Sequence, residues 1–404
     1  MPAAQENPTD LVTDAVQPQL EPSSLPSNTD PDVVLESANL PEYEQTWRLN
    51  ATEWKGFLSQ SSYLDREQYL IQADICRDDG ATAWILTSAK LPTNEDGSRP
   101  ILAACETAKK NAYVAKDGVL QKVTSHGIGS VYCRPEYRGK GYAGTMIKEL
   151  GKKLETFQQP KESKGRFSVL YSDIGPKFYA RHGWRPFPST HISLKTIDNA
   201  GEYHQRRAEI TPLPHVKDLK YQDLVALPLI SNLEDKLVNI SSANPSKTFV
   251  AFQPDMRNLQ WHFMREEFLA ESLDREKPQV KGAVDQNTGI ALIWVRTYSE
   301  DSSDWHLSVL YVHIPESVVH TDETRKSLSA LLLRAQYEAH IWDMADGVEV
   351  WDPRREVVEA AQAIAYGHEV QVISRDQEHI CSLKWNGSDA GDVVWLANER
   401  YAWC

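Results

Sequence analysis

A glycine-rich stretch, Arg138-Gly139-Lys140-Gly141-Tyr142-Ala143, stands between an apolar segment that ends near Cys133 and a segment with helical spacing. Pro135 prevents the apolar segment from pairing further as a strand. The first turn of a helix leaves backbone N–H groups unpaired, and glycine lets an anion approach those groups closely. The spacing therefore predicts a phosphate or pyrophosphate site, where Arg138 and Lys140 either add donors or face solvent.

Two common phosphate-binding motifs do not fit this stretch. The Walker pattern GxxxxGK[ST] is absent from it. Residues 139–144 follow G-x-G-x-x-G, but a predicted hairpin precedes the strand, which is incompatible with the parallel order of a dinucleotide-binding domain. An ordinary loop with glycines at a helix start remains the alternative interpretation.

The stretch "RPEYRGKGYA" resembles the R/Q-x-x-G-x-G/A acetyl-CoA motif of the GNAT acyltransferases, with Arg138, Gly139, Gly141 and Ala143 at motif positions. The resemblance implies that the loop amides hold the pyrophosphate of the coenzyme. It also implies that the pantetheine arm pairs with a strand end, namely the backbone of Val131, Tyr132 and Cys133. A splay between this strand and the next, residues 167–173, is then expected to receive the acetyl group.

A second GNAT motif, a helical tyrosine four residues before Gly-Trp, is matched by "SDIGPKFYARHGW". Tyr179, Gly183 and Trp184 fall on its positions, and Gly175 takes the usual small position. Ser172 stands where the family often has asparagine, and it can still offer a hydroxyl. The resemblance implies that Tyr179 protonates the departing thiolate, which suits a phenol within reach of the sulfur. The alternative is that Tyr179 only packs.

Attack on a thioester needs a neutral amine, so a base should remove a proton from the acceptor. We consider Glu106 at the end of a strand, His126 at the start of the next strand, and the terminal carboxylate of Cys404, which follows an aromatic sequence. A chain of waters is the alternative to all three. Cys105 and Cys133 are expected to be buried small apolar residues and not acyl carriers.

The order of predicted elements is strand, two helices, three strands, helix, strand, helix, strand. This order resembles that of the GNAT family, and the resemblance implies an α+β fold with a mixed central sheet flanked by helices over residues 32–200, closed by the strand at 191–197. Residues 201–404 repeat a similar order but have "IPESVVHTDETRKS" where the first half has its glycines. We therefore expect a second, degenerate GNAT-like domain that walls the acceptor site and does not bind acetyl-CoA.

Composition narrows the class of partner. The chain has 404 residues and a net charge of −14, which disfavours nucleic acid and anionic membranes. It has five scattered cysteines and no Cys/His cluster, which indicates cytoplasmic usage without a metal site. Residues 1–31 contain no Lys or Arg and are rich in Pro, Ser, Asp and Glu, so a flexible acidic tail is expected rather than a targeting segment.

Further segments are similar to the fungal lysine N6-acetyltransferases of lysine catabolism, among them "LNATEWKGFLS", "RPILAACETAKK" and "NERYAWC". This similarity covers roughly residues 32–404 and implies direct transfer of acetyl from acetyl-CoA to the side-chain amine of free L-lysine. Another acceptor, such as a polyamine, an aminoglycoside-like compound or a protein lysine, remains open. A CoA-binding regulator without turnover is the alternative outside enzymes.

Overall fold

The computed structural model of the protein describes residues 20–21, 24–161, 165–366, 369–387 and 392–403. In these ranges the chain forms two mixed sheets, of nine and seven strands, with helices packed between and around them. Antiparallel hairpins and parallel pairs occur within the same sheets, which confirms the predicted α+β class.

The first sheet carries the glycine-rich loop. Numbered in chain order, its strands are β1 (Val33–Ser37), β2 (Ala81–Ser88), β3 (Ala103–Lys116), β4 (Val119–Tyr132), β5 (Phe167–Ser172), β6 (Arg185–Pro186), β9 (Thr248–Phe252), β15 (Ile380–Trp385) and β16 (Val393–Trp395). They lie in the order β1-β2-β3-β4-β5-β15-β6, and β9, with β16 beside it, pairs with the far half of β3.

The second sheet has the order β14-β7-β13-β12-β11-β10-β8. Its strands are β7 (Thr190–Leu194), β8 (Val216–Leu219), β10 (Gly282–Asp285), β11 (Ala291–Thr297), β12 (His306–His313), β13 (Val348–Trp351) and β14 (Ile373–Ser374). The predicted hairpin around Gln286–Gly289 is confirmed as β10 and β11. Only the β12–β13 pair is parallel among the described strands of this sheet.

Helices flank both sheets. They are α1 (Leu40–Trp54), α2 (Gln60–Leu70), α3 (Tyr142–Lys153), α4 (Lys177–Ala180), α5 (Ala200–Ala208), α6 (Tyr221–Leu224), α7 (Leu229–Ala243), α8 (Met256–Ser272), α9 (Asp322–Ile341) and α10 (Arg355–Ala363). Asn39 and Glu42 form a capping box that fixes the start of α1. The apolar face of α3, with Met146, Ile147 and Leu150, is buried on the first sheet. None of the described helices is long and apolar enough to cross a membrane.

The two sheets exchange strands between the halves of the sequence. The strand β7, which we expected to close the first unit, pairs with β13 and β14 in the second sheet. In return β15 pairs with the full length of β5, and β9 pairs with β3 over Ala112–Lys116. A boundary at residue 200 therefore divides the sequence but not the sheets, because backbone pairing decides which strands share a core.

The element order nevertheless repeats. In the first sheet the β3–β4 hairpin leads through a short 3-10 turn, Pro135–Tyr137, to α3 and then to the parallel strand β5. In the second sheet the β11–β12 hairpin leads through the 3-10 turn Glu316–Val318 to α9 and then to the parallel strand β13. The two loops before α3 and α9 thus occupy equivalent positions.

Candidate functional site

The loop before α3 has the backbone of an anion site. Gly139 and Gly141 have φ angles of +78° and +86°, in the left-handed region that favours glycine. Gly141 is the N-cap of α3, and no side chain of the described residues caps it. A Cβ added at Gly139 would meet nothing within 4 Å, so open space faces the loop. The first-turn amides of α3 are thus available to a negatively charged ligand.

Gly141 is required for a second reason. A Cβ at this position would lie 2.6 Å from Asn28 Nδ2, and that amide group donates a hydrogen bond to Thr145 Oγ1 at 3.2 Å. The hydroxyl of Tyr142 donates to Pro26 O at 2.5 Å. The expectation of a flexible tail through residue 31 is therefore wrong for residues 24–31, which pack on the start of α3 because its small residues leave them room.

The charged side chains of the loop serve other contacts. Arg138 Nε donates to Cys133 O at 3.0 Å, and Arg138 Nη2 bonds Glu53 Oε1 at 2.7 Å. Arg138 thus ties the loop to the end of β4 and to α1 instead of facing the open side of Gly139. Lys140 is exposed, and Ala143 is half-buried. The backbone of the loop, rather than these side chains, therefore faces its open side.

Strands β4 and β5 separate beside the loop, as the family resemblance implies. Their parallel pairing joins residues 126–128 to 168–170 and extends no further in the described strands. Ser130 has a φ of +52°, and the β3–β4 register shifts opposite Cys105, so β4 bends away through a bulge. The backbone of Val131 and Tyr132 is left without a β5 partner, whereas the carbonyl of Cys133 already accepts from Arg138.

Tyr179 lies on α4 at the far side of this splay and is only 7% exposed. Burial raises the pKa of its hydroxyl, and the neighbouring Cys105 and Asp173 raise it further, so the phenol stays protonated. Trp184, fully buried, donates its backbone N–H to the carbonyl of Tyr179 at 3.1 Å. The protonation state of this phenol is therefore that of a proton donor and not of a base.

Ser172 has a different environment from the one expected. Its hydroxyl donates to Gly175 O at 2.7 Å and accepts from the N–H of Ile174 at 3.3 Å. The serine thus builds the turn that leads into α4, with Gly175 at a φ of +72°. The hydroxyl therefore donates its proton to a carbonyl within this turn and not to a ligand.

Glu106 lies on β3 opposite Gly129, at the bulge where β4 bends. Ser130 Oγ lies 3.5 Å from its Oε2, whereas its buried Oε1 has no hydrogen-bond partner among the described residues. Burial raises the pKa of this carboxyl to about 8, and the charge of Glu67 contributes. A carboxylate with such a pKa can take a proton from an ammonium group near neutral pH.

His126 lies on the opposite face of the sheet. It pairs with Lys109, three residues beyond Glu106 on β3, and successive side chains of a strand alternate between faces. Its Nε2 lies 3.0 Å from Gln158 Oε1, and burial lowers its pKa to about 4. The imidazole is therefore neutral and held among structural neighbours, which argues against it as the base.

The end of the chain packs on the same face as Glu106. Lys110, four residues after Glu106, donates from Nζ to Ala402 O at 2.8 Å. Tyr401 is fully buried and donates from its hydroxyl to Phe252 O at 2.8 Å. Cys404 itself lies outside the described residues, so its carboxylate stays a candidate base by prediction only.

The cysteines at the site do not have the character of nucleophiles. Burial raises the pKa of Cys105 well above its ordinary value and that of Cys133 to about 11. Both thiols therefore stay protonated near neutral pH, which supports their interpretation as apolar residues.

The equivalent helix start in the second sheet is closed to anions. Thr321 caps α9 by accepting from the N–H of Thr324 at 3.1 Å, and Asp322 and Glu323 occupy the first turn. A side-chain cap satisfies the amides that α3 leaves open, and acidic residues there repel a second anion. His320, at a φ of +64°, stands in the loop where the first copy has glycine.

Sequence reasoning missed the residues that enclose Glu106. These lie on α1 and α2 and are Tyr43, Trp47, Tyr63 and Glu67. A separate open groove of about 1030 Å³ lies against the far halves of β3 and β4, lined among others by Asn111, Lys122 and Arg166. It borders none of the candidate residues, so we place the site at the splay, where the geometry suits the chemistry.

The sequence is similar to a described protein family and to two fungal proteins. The sequence profile described as "LYC1 GNAT-like C-terminal domain" matches residues 193–404. "Uncharacterized protein YGR111W" of Saccharomyces cerevisiae is 25% identical over 410 residues, covering 93% of this chain and 99% of that protein. A protein named "Lysine acetyltransferase" from Yarrowia lipolytica is 26% identical over 277 residues, covering 60% of this chain and 67% of that protein.

Two solved structures are also similar. A GCN5-related N-acetyltransferase from Kribbella flavida has a TM-score of 0.49 and 14% identity, covering 87% of this chain and 71% of that one. Eis1 from Mycobacterium abscessus has a TM-score of 0.43 and 13% identity, covering 87% and 73%. Because the family profile spans more than half of the chain, the protein belongs to the family of the LYC1 GNAT-like C-terminal domain.

Proposed function

We propose that the protein is a cytoplasmic N-acetyltransferase that moves the acetyl group of acetyl-CoA directly to the ε-amine of free L-lysine. The observation that carries the proposal is Glu106, an enclosed carboxylate with a pKa of about 8 beside the splay of β4 and β5. The name of the Yarrowia relative supports lysine as the acceptor. The four described cysteines are free thiols, which supports a cytoplasmic location.

The residues present fit acetyl-CoA. The open amides at Gly139, Gly141 and the first turn of α3 would hold the pyrophosphate, and the unpaired backbone of Val131 and Tyr132 would bind the pantetheine arm. Arg138 would keep the loop in place through Cys133 and Glu53. When bound, acetyl-CoA supplies the thioester whose acyl group is transferred.

Two side chains would move protons. Glu106 would accept one proton from the ammonium form of the acceptor, which leaves a neutral amine for attack. Tyr179 would hold a proton at its Oη for the sulfur that departs as the C–S bond breaks. The carboxylate of Cys404 remains the second candidate base. Among the described residues, Ala402, two positions earlier, lies beside Lys110 on this face.

The surroundings of Glu106 favour a small acceptor. The carboxylate lies beneath α1 and α2, and the buried C-terminal residues pack on the same face. A lysine within a folded protein would have to displace these elements, whereas a free amino acid or a polyamine would not. We therefore rank protein lysine below small amines.

Acceptor profiling tests the proposal. Purified protein is mixed with acetyl-CoA and with free L-lysine, a polyamine or a lysine-containing peptide, while thiol release and product mass are measured. We expect release with free lysine and acetylation at N6. Release with another amine but not with lysine would overturn the acceptor, and no release with any amine would favour a CoA-binding regulator.

A further inference from the structure

Arg265 on α8 is a half-buried cation that forms no ion pair with the described residues. Its guanidinium carbon lies 5.8 Å from the ring centroid of Trp403, in the C-terminal segment. Within the described residues, no carboxylate oxygen lies within 4.0 Å of its nitrogens. The next two residues on α8, Glu266 and Glu267, are both directed elsewhere, to Lys281 Nζ at 2.8 Å each.

The neighbouring cations Arg66 and Arg400, in contrast to Arg265, each have a carboxylate partner. Arg66 bonds Glu67 Oε1 at 2.6 Å, and Arg400 lies 3.5 Å from Glu349 Oε1. Burial lowers the pKa of Arg265 to about 9, and repulsion from Arg66 and Arg400 lowers it further. A charge that is desolvated without a partner is costly, and an anionic ligand is the group that would stabilise it.

Arg265 and Glu106 both lie near the C-terminal segment. Lys110, on the face of β3 that carries Glu106, donates to Ala402 O at 2.8 Å, and Arg265 lies 5.8 Å from the ring of Trp403. Burial raises the pKa of the Tyr63 hydroxyl. The charges of Glu67 and Glu106 raise this pKa further, whereas the charge of Arg265 lowers it, so the hydroxyl lies within electrostatic reach of both Glu106 and Arg265. The charge of Glu67 likewise acts on Glu106 and on Arg265. The region therefore combines a proton acceptor in Glu106, a cation in Arg265 and a further carboxylate in Glu67 on α2.

We propose that Arg265 binds the α-carboxylate of the acceptor, so that the protein selects a free amino acid over other small amines. The Glu67 carboxylate supplies the negative charge that the adjacent α-ammonium group needs. This assignment rests on the proposed function, because the ε-amine must reach Glu106 while the carboxylate reaches Arg265. A polyamine lacks the carboxylate and would meet Arg265 as a like charge.

The test compares free L-lysine with lysinamide, which lacks only the carboxylate charge. For Arg265→Gln we expect kcat/KM for lysine to fall about 10- to 100-fold, as for loss of a charge-assisted hydrogen bond, with kcat/KM for lysinamide and KM for acetyl-CoA unchanged. Arg265→Lys should recover part of the loss. Arg275→Gln, which removes the exposed ion pair with Asp343, is the matched control. It should change kcat/KM neither for lysine nor for lysinamide.

The outcomes separate the two proposals. If the wild-type protein acetylates lysine but Arg265→Gln loses the same factor on lysine and lysinamide, the inference is wrong and the proposed function stands. The inference is equally wrong if that variant also lowers the thermal unfolding midpoint, since Arg265 would then be structural. If the wild-type protein turns over neither compound, the proposed function fails and the inference fails with it.

Discussion

Replacing Glu106 by glutamine removes the buried ionisation and leaves the shape of the side chain. The folded-state pKa of about 8 lies above the ordinary value of 4.5, so the folded protein holds a proton that the unfolded chain releases. Ionisation of Glu106 in the unfolded chain therefore lowers the stability of the folded protein increasingly from pH 4.5 to 8, and the loss is constant above pH 8, where both states are ionised. At 1.36 kcal/mol per pKa unit the cost at pH 7 is at most about 3 kcal/mol. We expect Glu106→Gln to be more stable there by roughly 1–3 kcal/mol and unchanged near pH 4.5.

The catalytic consequence has the opposite sign. Loss of a general base should lower kcat/KM by about 10²- to 10⁴-fold at neutral pH. In the wild-type protein kcat/KM for lysine should rise about tenfold per pH unit and level off near pH 8, where Glu106 is ionised. In the variant it should follow the neutral fraction of the amine and continue to rise towards about pH 10.

Initial rates between pH 6 and 10, together with urea unfolding of both proteins at pH 4.5 and 7, measure these effects. A wild-type profile that rises in parallel with the variant up to pH 10 would show that Glu106 is not the base. Greater stability of the variant with unchanged activity would assign Glu106 a structural position only, and the Cys404 carboxylate would become the leading candidate.

Three further substitutions test other parts of the site. Tyr179→Phe should lower kcat about 10²-fold and leave KM for acetyl-CoA unchanged, because only the transferable proton is lost. Gly141→Ala should cost about 1–2 kcal/mol in urea unfolding and raise KM for acetyl-CoA, since alanine is strained at a φ of +86°. Gly97→Ala, at +79° on an exposed loop, should cost similar stability without the change in KM. Lys281→Met should cost about 3 kcal/mol, because buried Glu266 keeps only Arg296 as an ion-pair partner and Glu267 loses Lys281. Lys277→Met, at an exposed pair, should cost under about 1 kcal/mol.

For each of these substitutions, one result would contradict the physical reason given for it. Full activity of Tyr179→Phe would mean that water protonates the thiolate. An unchanged KM in Gly141→Ala would mean that this glycine serves only the contact with Asn28. Equal losses at Lys281 and Lys277 would show that burial does not distinguish the two ion pairs.

The parts of the site that sequence predicts are those built from neighbouring residues. The glycine loop, the uncapped start of α3 and the short helix of Tyr179 depend on turns and helix ends, which local residue types specify. The splay was expected from the family resemblance, and the bulge at Ser130 gives its physical cause. The choice between Glu106 and His126 depends on which face of the sheet each occupies, and that needed the strand register.

The remaining parts depend on contacts between distant residues. Asn28 lies on Gly141, and Arg265 approaches a region formed by α2 and the last residues of the chain. Arg138 had the residue type expected of a phosphate donor, but Glu53 and Cys133 occupy its donors. A local sequence pattern cannot predict these contacts, because folding brings the contacting residues together from separate parts of the sequence.

The exchange of strands between the sheets makes the folding of each half of the chain depend on the other half. With β15 inserted beside β5 and β7 carried into the other sheet, each half supplies backbone partners that the other cannot replace. The two halves should melt in one transition, and either half expressed alone should stay unfolded until its complement is added. A duplicated copy that has lost its own anion site would ordinarily be free to disappear. Here its removal would open the sheet that retains the site, so the copy persists as an obligatory part of the fold.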